Sequence, residues 1–471
     1  MELVHSFEIL GEKLVFDSES GALHRVDEMA AAVIDLYSES NGKRPGHDAL
    51  NKLASVFGTE VFEVAEEIDV LIDREELYCP IREVTVEQLY PDQPRIKSMC
   101  LHLCHDCNLR CKYCFAGTGD FGTGHRSMLS EEVGRKAIDY LIEASGPRKH
   151  LDIDFFGGEP LMNWPVVVAL TEYCKKRMAE TDKIIRLTIT TNVTLLDDEK
   201  IKFIDENFNN CVLSIDGRRE VNDNMRPDAG GHGTHDKIVK NIKKFLDVRE
   251  DRQYYLRGTY TRHNLDFAED VLHLADLGDQ VSIEPVVAPP GSGYEIREED
   301  IPMIEAEYER LAQLIYERRQ QGNGFNFFHF VMDLTKGPCA YKRLKGCGVG
   351  MEYCAVTPEG DIYPCHQFVG EEQFKMGNVM DEPITLDAEV QQPFRQLMVP
   401  DKPECKKCWA RFFCSGGCAA NSYHVSGQIN GSDPIGCSMQ KKRLECALWL
   451  KSKQVSDQVS TEKKINKGIC S

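Results

Sequence analysis

Cys107, Cys111 and Cys114 stand in the run His105-Asp-Cys-Asn-Leu-Arg-Cys-Lys-Tyr-Cys-Phe115, with the spacing Cys-x3-Cys-x2-Cys. Three thiols on one short loop can converge on a single centre and leave its fourth corner to something other than protein. Structural zinc sites close with four protein ligands, whereas catalytic sites keep a position open. An iron–sulfur cube with one uncommitted iron can bind and cleave a small molecule. Downstream, Gly157-Gly158-Glu159-Pro160, Thr190-Thr191-Asn192, Ser214-Ile-Asp216-Gly217 and Arg257 each end or occupy an apolar strand pattern. Glycines at such a place allow a close approach of backbone.

A second set of cysteines lies near the C-terminus: Cys347-x6-Cys354-x10-Cys365, then Cys405-x2-Cys408-x5-Cys414-x3-Cys418, then Cys437. Eight thiols can complete two four-cysteine sites, and spacing alone reads equally as two zinc sites. Cys79, Cys174 and Cys211 stand alone in apolar or helical settings and read as small buried hydrophobes. Cys104, at the end of a strand pattern, reads as a bystander to the triad. Cys446 fits neither set, and Cys470 is given no role.

The elements that position these residues follow from the patterning. At 471 residues the chain exceeds one hydrophobic core, so two to four domains are expected. A net charge of −20 argues against non-specific binding to nucleic acid or an anionic membrane. No run approaches the ~20 apolar residues of a membrane span. The opening Met-Glu-Leu-Val-His-Ser lacks the basic and apolar regions of a secretory signal. Nineteen cysteines without an export signal point to a cytoplasmic protein whose thiols are ligands.

Residues 1–84 read as a separate unit. Phe7, Ile9, Leu14 and Phe16 alternate as half-buried strands around turns at Gly11 and Ser20-Gly21. Helices are predicted over Ala30–Tyr37, Ala49–Phe57 and Thr59–Ile72, the last with Thr59 as N-cap. That order is winged-helix-like, and the acidic helices argue against DNA. Residues 85–300 alternate strands (Ile96–Leu103, Leu151–Phe156, Ile185–Thr190, Cys211–Ile215, Tyr255–Thr261, Val281–Val286) with helices such as Glu131–Ile142, begun by Ser130. Six β/α units imply a parallel sheet, open or curled into a partial barrel, with its chemistry at the C-terminal strand ends. Residues 301–337 read as a helical connector. Residues 338–450 are rich in cysteine, glycine and turns, and 451–471 form a polar tail.

The triad, with Tyr113 before its last cysteine, resembles the signature of radical S-adenosylmethionine (SAM) enzymes. The resemblance implies an α/β fold, a partial (β/α)6 barrel, and a [4Fe–4S] cluster on Cys107, Cys111 and Cys114 whose open iron holds SAM. It implies a 5′-deoxyadenosyl radical that takes a hydrogen from substrate, the protein fixing geometry. By the same resemblance Gly157, Gly158, Glu159 and Pro160 bind the SAM amino group, and Thr190 and Asn192 its ribose or carboxylate. Ser214 and Arg257 lie near ribose and carboxylate. Turn chemistry and exposed charge are the bland alternatives.

Residues 338–450 resemble a SPASM domain with two auxiliary [4Fe–4S] clusters, which would make three in all. Cys347, Cys354, Cys365 and Cys418 would serve the nearer cluster, and Cys405, Cys408, Cys414 and Cys437 the farther. Cys339 is an alternative to Cys354; with neither, the nearer cluster keeps an iron open to a substrate thiolate. The unit at 1–84 resembles the peptide-recognition element of peptide maturases, in which a leader adds a strand to a sheet edge.

With Tyr341–Gly348 and Thr357–Val369, nearly the whole chain is similar to thioether-forming maturases of "six cysteines in forty-five residues" peptides (the sactipeptide and ranthipeptide group). Cys104 departs from that pattern, which has a small apolar residue there. The resemblance implies a precursor-peptide substrate, a flavodoxin- or ferredoxin-type electron donor, and no nucleic-acid or membrane partner. Asp216 is a base if the peptide thiol arrives protonated, and otherwise a turn residue. The alternatives are a formylglycine-type or carbon–carbon crosslinking maturase, and a non-catalytic zinc-stabilised peptide-binding or electron-transfer protein.

Overall fold

A tight turn at Leu10-Gly11, both at positive φ (50° and 75°), folds β1 (Val4–Ile9) back on β2 (Glu12–Asp17), and β3 (Leu23–Val26) completes an antiparallel meander. The protein is seen here in a computed structural model that describes residues 4–81, 83–89, 95–250, 252–334 and 340–468. Three helices, Glu28–Glu39, His47–Phe57 and Val61–Asp73, bury Val33, Tyr37, Leu50, Val61 and Ile68 against Val15. Each such side chain contributes about 1.5–3 kcal/mol on burial. Asp27 caps the first helix by accepting from Ala30 N at 2.8 Å. The expected Thr59 cap does not form: Glu60 occupies the N-cap without a side-chain bond, and Thr59 gives only its carbonyl, to Phe62 N.

The main sheet has ten strands in the order β10-β9-β8-β7-β6-β5-β4-β11-β12-β13. They are β4 (Ser98–Cys104), β5 (His150–Gly157), β6 (Ile184–Thr191), β7 (Asn210–Ser214), β8 (Tyr255–Tyr260), β9 (Gln280–Pro285), β10 (Asn326–Phe327), β11 (Tyr353–Val356), β12 (Asp361–Tyr363) and β13 (Gly377–Asn378). From β10 through β4 to β11 every pairing is parallel; β12 and β13 turn antiparallel. The six central strands were legible from patterning, but the sheet grows at both ends. The connector contributes β10, and the cysteine-rich segment contributes β11–β13. An open edge of backbone donors and acceptors is a template for such pairing.

Alternation decides what each strand presents. Met99, Leu101, Leu103, Leu151, Ile153, Phe155, Ile185, Leu187 and Ile189 join one core with the covering helices, Glu131–Ala144 among them. The opposite face carries Cys100, His102, Asp154, Phe156, Thr190, Ser214, Arg257 and Glu284, a polar interior. Ser130 accepts from Val133 N at 3.2 Å, capping its helix as expected. The last helix, Pro434–Gly468, runs on through most of the segment read as a polar tail. Gln320 donates to Asp457 within it at 2.7 Å. Among the described residues no helix is long and apolar enough to cross a membrane.

The front unit is docked rather than tethered. His5 stacks on Trp409 with ring centroids 3.9 Å apart, and Phe16 meets Trp409 and Phe413 edge-on. Arg411 pairs with Glu19, their side chains 5% and 3% exposed. Arg411→Met removes the buried guanidinium partner of Glu19, a loss of about 3–5 kcal/mol for such pairs. Hydrogen–deuterium exchange should therefore accelerate in β1–β3 and stay unchanged in β5 and β6.

Candidate active site

The cysteine loop leaves β4 at Cys104 and is held from two sides by backbone. On one side Gly158 N donates to Cys104 O and Glu159 N to Asp106 O, both at 2.9 Å. On the other, Arg110 N donates to Pro227 O at 2.8 Å and Lys112 N to Met225 O at 2.9 Å. The glycines are required by this approach. A Cβ on Gly157, at φ +119°, would lie 2.3 Å from Cys104 O, and one on Gly158 2.0 Å from Asp106 O. The sequence reading gave this closeness to a bound ligand; here it serves the cysteine loop itself.

Glu159 is engaged in the same way. It is fully buried, and its carboxylate accepts from Thr191 Oγ1 (2.7 Å), Asn192 N (2.7 Å) and Leu161 N (3.1 Å). Burial pushes its carboxyl up to about 7, against those bonds. Pro160 opens the short helical turn Pro160–Asn163 that Glu159 caps. The Glu159 carbonyl accepts from the Cys104 thiol at 3.0 Å, so Cys104 is a bound, buried thiol outside the triad. Asn192 reaches the loop directly, donating to Cys107 Sγ at 3.7 Å and to Asn108 Oδ1 at 2.8 Å. Thr190 turns instead to Asp154, at 3.3 Å.

Tyr113 carries the other end of the loop. Its hydroxyl donates to Asp216 at 2.6 Å, and Asp216 also accepts from Thr259 N at 3.0 Å. Arg226 donates to Tyr113 Oη and to Ser214 O, each at 3.2 Å. Asp216 is wholly buried, which raises its pKa while Arg226 and Tyr113 pull it down. A carboxylate so enclosed anchors Tyr113; it has no open oxygen for a proton from substrate. Arg257, whose side chain is 54% exposed, lies beside Ser214 in register and 3.9 Å from Glu284.

The triad fits an iron–sulfur cube. Burial pushes the Cys107 thiol up to about 12 and the Cys111 thiol up to about 11, and each thiol feels the charge of its neighbours. Buried thiols of this kind become ligands when a cation offsets the thiolate charge. Leu109 N and the Asn192 amide both point at Cys107 Sγ, the hydrogen bonding that sulfur ligands of clusters receive. Among the described residues no three His, Cys, Asp or Glu side chains close on a single-ion site. A zinc ion would need thiols about 2.3 Å from one centre, whereas a cube spaces them more widely.

The later thiols fall into two sets. Cys347, Cys365 and Cys418 act electrostatically on one another, as do Cys405, Cys408, Cys414 and Cys437. A cleft of about 290 Å³ beside the first set is lined by Cys347, Lys345, Lys402, Gly416 and Gly417. Cys354 is not brought to it. It lies in β11 between Tyr353 and Ala355, which face the polar interior, so its side chain points the other way. It has no exposed surface, packs with Val356 and Ile362 in the main core, and is pushed up to about 12 by burial alone. Cys339 lies outside the described residues.

Sequence reasoning missed Arg226, whose Asn-Met-Arg-Pro setting reads as a turn. It also missed Asp154 and Cys100, hidden by parity within apolar strands. Asp154 is pushed up to about 7 by burial. If the glycine contact holds the loop, Gly158→Ala should lose about four irons per chain, the content of one cube, with the later thiol sets still loaded. Iron and sulfide assay after anaerobic reconstitution measures this.

Comparison with known proteins agrees with this geometry. Residues 101–276 match the radical SAM superfamily, and residues 347–409 match the SPASM iron–sulfur cluster-binding domain. The mycofactocin maturase MftC of Mycobacterium ulcerans is 26% identical over 340 residues, 70% of this chain and 85% of that protein. Native anSMEcpe, solved with bound AdoMet and the Cp18Cys peptide, superposes with a TM-score of 0.63 at 22% identity, over 77% of this chain and 99% of that one. Streptococcus suis SuiB, solved with its precursor peptide SuiA, gives 0.54 at 16% identity, over 92% and 98%.

Proposed function

We propose that this chain, which carries a radical SAM domain and a SPASM domain, is a maturase that joins a cysteine sulfur to a carbon within a ribosomal precursor peptide. Cys107, Cys111 and Cys114 would hold the SAM-binding cluster, with Asn192 and the Leu109 amide directed at its sulfur. Cys347, Cys365 and Cys418 would hold the nearer auxiliary cluster, and Cys405, Cys408, Cys414 and Cys437 the farther. When bound, these groups supply a carbon-centred radical that takes a hydrogen atom from the peptide, and a path for the electron left over.

The observation that carries the thioether reading is the parity of β11. With Cys354 turned into the core, three thiols of the chain face the nearer site among the described residues. The fourth place is then left to a sulfur from outside the chain. Lys345 and Lys402 line the cleft there and lower the cost of bringing in a thiolate. A deprotonated, directed sulfur removes the need for a protein base. Asp216 accordingly serves as the anchor of Tyr113. Arg257, Glu284, Thr190 and Asp154 give the barrel interior polar groups that a peptide backbone can use.

The front unit supports a peptide substrate. β3 pairs with no strand on its outer edge among the described residues, which suits the addition of a leader strand. The charge of −20 suits a basic leader. Solved neighbours hold peptides, as SuiB holds SuiA. None of the seventeen cysteines among the described residues is in a disulfide, in keeping with a reducing cytoplasm.

Anaerobic incubation with SAM, a reductant and a cysteine-rich precursor peptide should yield a product two hydrogens lighter per bridge, with one fewer alkylatable cysteine for each. Mass loss with every cysteine still alkylatable would point to carbon–carbon bonding instead. Cys354→Ala should keep its iron, whereas Cys365→Ala should lose about four atoms per chain, one cube's worth.

A further inference from the structure

Met225, Arg226 and Pro227 run beside the cysteine loop. The carbonyls of Met225 and Pro227 receive Lys112 N and Arg110 N, and Leu109 bridges to Asp228. The side chain between those two carbonyls is therefore delivered to the middle of the loop. Arg226 is 6% exposed, and its guanidinium is used as a fork: one Nη to Tyr113 Oη, the other to Ser214 O. Its Nε is buried and has no hydrogen-bond partner. A buried N–H of a charged group without an acceptor is costly, and such orphans mark a place where something else binds. The nearby group left without a bonded partner of its own is the Cys111 thiol. Its burial raises it, and the Arg226 charge is the largest influence acting the other way.

We propose that Arg226 positions the cysteine loop and directs its remaining N–H at the sulfur of Cys111, so that it governs how readily the SAM-binding cluster takes an electron. The inference rests on the reading of a cluster on the triad. Hydrogen bonds to cluster sulfurs and nearby positive charge both favour the reduced, more negative state. A lysine could keep the charge but could not span Tyr113, the Ser214 carbonyl and a sulfur together, because its donors leave one nitrogen on a flexible stem. The Asp216 carboxylate completes the device. It lies 3.9 Å from Arg226 and holds Tyr113, so the guanidinium is aimed by two partners before it meets the sulfur.

The test uses the full chain, reconstituted anaerobically, with Arg226→Lys and Arg226→Met. The SAM-binding cluster is identified by the change in its electron paramagnetic resonance signal on adding SAM, and its midpoint potential is measured in a dithionite-poised titration. Arg226→Met should keep an unchanged thermal unfolding profile as apoprotein and shift that midpoint to lower potential, with Arg226→Lys between it and the wild type. A midpoint equal to wild type in a loaded Arg226→Met chain would overturn the proposal. If Arg226→Met does not retain the cluster, Arg226→Lys decides: a lowered midpoint supports the donation, and an unaltered one refutes it. Absence of any SAM-sensitive signal in the wild type would instead defeat the cluster reading itself.

Discussion

The site depends on backbone meeting backbone at the end of two parallel strands. β4 and β5 finish side by side, and their continuations, Cys104–Asp106 and Gly157–Glu159, bond through Gly158 N and Glu159 N. That contact exists because two residues in succession have no Cβ. With the strand ends locked, Glu159 is pinned under Thr191 and Asn192, so β6 is tied to the same knot. The cysteine loop thus inherits its position from three neighbouring strands of a packed sheet rather than from its own short sequence. Such a base is rigid on both sides, which a reacting centre held by three thiols requires.

A second constraint is the two-residue period of the strand. It places Cys211 in the core and Ser214 on the interior face, and it separates Cys354 from the thiols that surround it in sequence. Spacing along the chain cannot reveal this, because Cys-x6-Cys-x10-Cys looks even whichever way each thiol points. The neighbours do reveal it: Tyr353 and Ala355 flank Cys354, and Val356 shares its core-facing side. β11 pairs with β4, so Cys354 follows the parity of Met99, and Cys100 that of Ala355. A thiol whose strand partner is a core methionine has been assigned to the core by the sheet.

Much of the fold was legible because it was written in period. Six strands with one apolar face each, Ser130 at a helix start and the glycine pair after β5 all lie in local sequence. What was missed is non-local. β10 and β11 are short, and they become strands by pairing with edges that the sequence does not display. Residues 451–468 are polar, yet they extend a helix already anchored by Leu448 and Leu450 and held by contacts such as Gln320 with Asp457. Thr59 has the right side chain for a cap, but the chain enters its helix one residue later. Within the site, the cysteines announced themselves by type. Arg226 did not, since its role comes from the carbonyls on either side of it.

Charge gives the three thiol sets a common logic. Each is raised by burial, and each has a cation working against that rise: Arg226 at Cys111, Lys97 at Cys347, Lys402 at Cys405 and Lys441 at Cys437. A chain of net charge −20 would otherwise add to the cost of gathering thiolates in a poor dielectric. The arrangement around Glu352 shows how the cations are themselves kept in place. Its buried carboxylate bonds Lys345 at 2.7 Å and Arg148 at 3.1 Å, and pairs with Lys97 as well. One carboxylate cannot neutralise three cations. The corner is left net positive, and Lys345, two residues before Cys347 on the wall of the same cleft, brings that surplus to the thiols.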